Sequence, residues 1–200
     1  MRGMPGKLFI AANQADQGMA RPCTIWDAAT QKGWTDKPDE EKALLWYGRA
    51  WDSPDTEEIK GKIADSIGDI HFHRKLDFQK AARWYRKSAE RGYDWGYCDW
   101  GSCFAWGLGE SKNTQKALEL YKKAYELHGE AEGVTANDIG HIYQGETGEK
   151  PDYKKAVSWF RKSAKAGYSW GLYNLASASE NRTGNGTGQG KGVLSVPGRP

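Results

Sequence analysis

"DFQKAARWYRKSAERGYDWG", residues 77 to 96, and "DYKKAVSWFRKSAKAGYSWG", residues 152 to 171, agree at 12 of 20 positions although they begin 75 residues apart. Two weaker copies share the start of the pattern, "DEEKA" from Asp39 to Ala43 and "NTQKA" from Asn113 to Ala117. The repeat alanines, Ala43, Ala81, Ala117 and Ala156, are spaced 38, 36 and 39 residues apart. A period of this length is the signature of a helical repeat array.

In the clearest copy Ala81, Trp84, Tyr85, Ser88 and Ala89 fall on one helical stripe, with Arg83, Arg86, Lys87 and Glu90 between them. That spacing predicts an amphipathic helix with one buried face. Asp77, four residues before Ala81, suits the N-cap, as Asp39, Asn113 and Asp152 do in the other copies. Gly92 and Gly167 suit the left-handed residue that ends such a helix.

A second pattern lies between these helices: "SIGDIHF" ending at Phe72, "DWGSCFA" at Ala105, "DIGHIYQ" at Gln144 and the degenerate "NLASASE" at Glu180. Its small residues, Gly68, Gly101, Gly140 and Ala176, recur at 33, 39 and 36 residues. A glycine inside a helix costs about 1 kcal/mol relative to alanine. Its recurrence therefore predicts a place where another helix backbone comes close, and Gly96 and Gly171 predict a further one. Each unit reads as a helical hairpin, a first helix followed by a second. A lone hairpin leaves apolar surface exposed that stacked copies cover, so the sequence repeats where the packing repeats. Leu120 replaces tryptophan in the intervening copy, which reads as drift.

Composition bounds the function. The chain is 38% hydrophobic and 28% charged. Its net charge of +3 is matched by Arg182, Lys191 and Arg199 in the acid-free stretch after residue 181, leaving a neutral body. A neutral body argues against nonspecific nucleic-acid binding. Three cysteines, Cys23, Cys98 and Cys103, form no evident disulfide or metal framework and suit a reducing, cytoplasmic compartment. The N-terminal apolar run "LFIAA" is far shorter than a membrane span.

With four second-helix motifs, a Gly-containing first helix and variable loops such as "GLGESKN" and "GETGEKPD", the chain resembles the Sel-one-like repeat family, relatives of the tetratricopeptide repeats. The resemblance covers roughly residues 24 to 178. It implies an all-α, right-handed solenoid of about four stacked hairpins of 36 to 39 residues. Residues 1–23 read as a partly ordered or capping N-terminal segment, 24–180 as the array and 181–200 as a disordered Gly-rich tail. The last unit stops after its first helix, so either the chain is truncated relative to its relatives or self-association covers the open end.

The residues offer no catalytic set, no cofactor motif and no metal site. His71 and His73 lie two apart on a helix and face different directions. His71 aligns with Phe104 and Tyr143 and reads as a packing aromatic, while His141 shares a variable outer position with Asp69 and Ser102. Cys98 and Cys103 read as small core residues. Trp46, Trp84 and Trp159 belong to the repeat core. Trp34, Trp51, Trp95, Trp100, Trp106 and Trp170 are surplus to it. Trp95, Trp106, Tyr143 and Trp170, with His73, are candidates for an aromatic groove binding a protein or peptide along the first helices. For Trp95 and Trp170 the alternative is filling space left by glycine.

The resemblance implies a noncatalytic protein-interaction adaptor or scaffold that binds a partner segment on the concave face, lined by the first helices, while the neutral body and the short apolar run lead to an expectation of no nucleic-acid or membrane partner. Other readings are an enzyme-like or small-ligand-binding member of the family, and an inhibitor of the toxin-immunity type.

Overall fold

The computed structural model describes residues 40–183. The proposed N-terminal segment, the start of the array and residues 184–200 of the tail lie outside the described residues. Eight α-helices and no strands are present among the described residues. Second helices are α1 (Glu40–Asp52), α3 (Phe78–Glu90), α5 (Thr114–Glu126) and α7 (Tyr153–Lys165). First helices are α2 (Lys60–Asp69), α4 (Asp94–Trp106), α6 (Glu132–Gln144) and α8 (Ser169–Thr183). A 3-10 turn, Pro54–Ile59, precedes α2, and a π-helical turn, Ile70–Arg74, follows it. Consecutive helices pack against one another along the chain, giving the all-α solenoid that the repeat implies.

The local signals act as read. Asp77, Asn113 and Asp152 accept hydrogen bonds from the amides of Lys80, Lys116 and Lys155 at 3.1, 2.9 and 3.1 Å. Gly92 and Gly167, just past the ends of α3 and α7, have φ of 77° and 83°.

The core differs in one register from the expectation. Its centre in three units is the aromatic after the tryptophan position: Tyr85, Tyr121 and Phe160 are 2%, 2% and 1% exposed, whereas the equivalent Tyr47 is half-buried. A Cβ on Gly68 would lie 2.7 Å from the Tyr85 ring, one on Gly101 2.9 Å from the Tyr121 ring, and one on Gly140 closer still to Phe160. At these glycines, then, it is a ring that comes close rather than a backbone. Close backbone approach occurs at Gly96 and Gly171, whose Cβ would lie 2.6 and 2.7 Å from the backbone nitrogens of Ala89 and Ala164. Beside them, the buried hydroxyls of Ser88 and Ser163 donate to the carbonyls of Gly61 and Gly133 at 2.8 and 2.6 Å.

The repeat tryptophans lie at the margin of this core, Trp159 packing against it. Trp46 is 61% exposed, and Trp84 and Trp159 are half-buried. Trp84 packs edge-on against Trp51 at 5.4 Å, and Trp159 against Tyr125 at 5.2 Å. Lys87 and Lys162 lie over Trp84 and Trp159, 3.9 and 3.7 Å from the ring centroids. Leu120 and Ala89 hold the equivalent positions at the intervening junction. The aromatic junction thus recurs every second unit, which is why the two best copies are two units apart. Leu120 belongs to this alternation rather than to drift.

Gly96→Ala is expected to lower stability by about 1 to 3 kcal/mol, because the methyl has no room. Gly48→Ala, in α1 with nothing within 4 Å of its added Cβ, is expected to stabilise by up to about 1 kcal/mol. Thermal unfolding of both variants checks the contrast.

Candidate functional site

Each first helix places three polar positions around the tip of a core aromatic. They lie three residues before the helix glycine, one residue after it, and two residues before the glycine of the next first helix. The result is a ladder of three rungs along α2, α4, α6 and α8.

The first rung is acidic. The carboxylates of Asp65, Asp69 and Asp99 have oxygens within 4.8 Å of one another, and the Tyr85 hydroxyl donates to Asp69 at 2.9 Å. Such a carboxylate set has the donor chemistry of a hard-cation site. In the second rung the Cys98 thiol donates to Asp138 at 3.8 Å, and the hydroxyls of Ser102 and Tyr121 share a hydrogen bond of 2.9 Å. In the third, Asn174 donates to Asn137 at 2.8 Å and its amide nitrogen lies 3.1 Å from His141 Nε2. Here the core aromatic is Phe160, which has no hydroxyl, and the His141 ring packs edge-on against it at 5.2 Å.

This overturns the outer placement of Asp69, Ser102 and His141. Their shared position points inward at the tip of the core ring, so the residue there varies with what the ring presents. The −3 residues Asp65, Cys98 and Asn137 are 4%, 2% and 1% exposed. The other rung members, Asp69, Asp99, Ser102, Asp138, His141 and Asn174, are half-buried.

Burial also sets the protonation states. Asp138 is pushed up to about 7 by loss of solvent, against the lowering effects of His141 and of the Cys98 hydrogen bond. Burial alone would lower His141, but its contacts with Glu146, at 2.8 Å, and the charge of Asp138 raise it overall. Burial pushes the Cys103 thiol up to about 12, consistent with its place as a core residue. His71 is 9% exposed and lowered by burial and by the charges of Lys80 and Lys75, so it packs as a neutral ring, as its alignment with Phe104 and Tyr143 implies.

The five groove candidates divide between the two ends of the first helices. Trp95 and Trp170 begin α4 and α8, whereas His73 follows α2, and Trp106 and Tyr143 end α4 and α6. Trp95 and Trp106 are eleven residues apart on one helix, about 16 Å. Trp95 is only 8% exposed and packs in the core with Cys98 and Ala105, so it fills space and has too little surface to anchor a partner. Trp106 and Tyr143 are half-buried against the same core, and Lys155 Nζ lies 5.2 Å from the Tyr143 ring. His73 is exposed and edge-on to Phe72 at 4.9 Å. Trp170 is half-buried and packs on Tyr173 at 5.8 Å, on a helix that also exposes Leu172.

The sequence did contain a signal for the ladder. Its positions are polar in otherwise apolar helices, but they change identity from unit to unit and so look like unconstrained surface. Among the described residues no helix is long and apolar enough to cross a membrane.

The Sel1 repeat family model matches residues 29–53, 68–93, 96–128 and 135–168. Among solved structures, a Sel1 repeat protein from Oxalobacter formigenes aligns with a TM-score of 0.55 and 22% identity over 70% of this chain and 60% of that one. A protective antigen present in uropathogenic Escherichia coli strains and displaying an SLR fold aligns with a TM-score of 0.55 and 18% identity, over 85% of this chain and 40% of that one. The chain thus spans less than two thirds of either, and the likeness at these identities is one of fold. No curated protein matches the chain. Four matched repeats covering more than half of the sequence, on a solenoid of hairpins, place the chain in the Sel1 repeat family.

Proposed function

We propose that this chain is a noncatalytic adaptor that holds a protein or peptide segment along its first helices. The observation that carries the reading is the contrast between a constant interior and a variable face. The ring-on-glycine packing repeats in three units, whereas the rungs in front of it change from carboxylates to thiol, hydroxyl and carboxylate, and then to amides and imidazole. A fixed scaffold that presents different polar groups at regular intervals can read the register of a bound segment. Half-buried aromatics supply the anchoring area that such interfaces concentrate in a few residues. Trp106 and Tyr143, with the exposed His73, line one edge of this layer, and Trp170 stands apart on α8. Buried free thiols at Cys98 and Cys103 fit a cytoplasmic setting.

Trp106→Ala is expected to weaken the complex with a partner captured from the source cell by about tenfold, equivalent to about 1.4 kcal/mol. The helical circular dichroism signal should be kept. Unchanged affinity in a still-folded variant would remove Trp106 from the interface.

A further inference from the structure

From α3 to α7 the net neutrality of the body conceals a separation of charge between first and second helices, whereas α1 and α2 carry both signs. First helices α4 and α6 carry Asp94, Asp99, Glu132 and Asp138 and no lysine or arginine. Second helices α3, α5 and α7 together carry twelve lysines and arginines against three acids, Glu90, Glu119 and Glu126. The cations are ordered. A basic pair stands five and six residues after the last three repeat alanines, namely Arg86 and Lys87, Lys122 and Lys123, and Arg161 and Lys162, and all six are exposed. Lys87 and Lys162 are held in place over Trp84 and Trp159. Among the described residues Lys122 and Arg161 have no carboxylate partner. Crowding like charges on neighbouring helices is destabilising.

We infer that the second-helix layer is a second docking surface, for an acidic, extended protein segment lying across α3, α5 and α7. Charge complementarity selects the sign of the partner. The arrangement selects its form: α3, α5 and α7 each pack on the first helices between them rather than on one another, so the basic pairs stand apart, and an extended chain, rising about 3.3 Å per residue, reaches from one to the next with the fewest residues. Carboxylates recurring along such a segment would meet one basic pair after another, with the arginines offering forked donors to them. Glu90 and Glu119 pair with Arg86 and Lys116 on their own helices at 2.9 and 3.3 Å, which interrupts the basic charge and suits spaced carboxylates better than the unbroken charge of a nucleic-acid backbone. With the first-helix face, this gives an adaptor two distinct surfaces, and the inference stands on its own if the first-helix reading fails.

The test uses the full chain and a fluorescein-labelled peptide of four Gly-Glu-Glu repeats, read by anisotropy at 50 and 200 mM salt. Binding that weakens with salt is expected, with at least a tenfold loss in the Lys122→Glu, Arg161→Glu variant. A smaller loss, about threefold, is expected in Lys122→Gln, Arg161→Gln, which removes charge without adding repulsion. Lys150→Gln, which removes one exposed positive charge from the loop between α6 and α7, should leave the affinity unchanged. Failure of the peptide to bind, or binding indifferent to both substitution pairs, would overturn the proposal. So would tighter binding, in the same buffer, of a single-stranded oligonucleotide of equal charge or of phosphatidylserine vesicles.

Discussion

Tyr85→Ala is expected to destabilise the protein by about 3 to 5 kcal/mol, the range for removing a fully buried large aromatic. Trp84→Ala, one residue earlier, is expected to cost only about 2 kcal/mol. The Tyr85 ring is 2% exposed and fills the space left by Gly68, while its hydroxyl is bonded to Asp69. Removing it opens a cavity between α2 and α3 and leaves a carboxylate without that donor. The Trp84 ring sits half-buried between Trp51 and Lys87. Its loss forfeits an edge-on aromatic contact of about 0.5 to 1.5 kcal/mol and an exposed cation–π contact of about 0.5 to 1 kcal/mol. Urea unfolding of the two variants side by side decides the matter. A Trp84→Ala cost equal to or above that of Tyr85→Ala would return the core to the tryptophan register that the sequence suggested.

Asp138→Asn is expected to raise stability at pH 8, by an amount on the order of 4 kcal/mol given about 1.4 kcal/mol per pH unit. Asp138 ionises at about 7 in the folded protein, against an ordinary value of 3.8. The folded state therefore holds this proton more tightly than the unfolded chain does. Its contribution to stability is fully present below about pH 4 and is lost as pH rises through 7. His141, also raised above its ordinary 6.5, acts in the same direction. Groups facing Asp138 are the Cys98 thiol, His141 and Glu146, and its charge is felt by the phenols of Tyr121 and Tyr168, both raised chiefly by burial. The asparagine keeps the shape and removes the charge, so its stability should be flatter between pH 4 and 8 than that of the parent. Urea midpoints across this range test it. A variant with the parent's pH profile would assign the dependence to His141 or to other groups.

Much of the fold was legible because repetition exposes it. Four copies of the cap and the repeat alanine, with a terminal glycine in the two best of them, fix helix starts, ends and hairpin order before any packing is known. The register of the core was not legible, since Trp84 and Tyr85 both lie on the apolar stripe and larger area alone favours the tryptophan. Only the position of Gly68 opposite Tyr85, set by the angle between α2 and α3, distinguishes them. The ladder was hidden for a related reason. Asp69, Ser102 and His141 differ in chemistry because Tyr85, Tyr121 and Phe160 differ in what they present, and that correlation spans 16 to 19 residues in sequence. Trp95 was misplaced because recurrence beside a close-approach glycine is equally compatible with lining a groove and with filling one.

The placement of partner recognition on the first helices is tested most directly by site-specific photo-crosslinking. A benzoylphenylalanine residue replaces Trp106 in the full chain, which is irradiated in lysate of the source cell with unlabelled competitor present or absent. The expected result is a discrete adduct that excess parent protein suppresses and that the Trp106→Ala, Tyr143→Ala variant, still helical, suppresses at least tenfold less well. Equal suppression by the parent and the variant, or no adduct from this position, would contradict the assignment of this face.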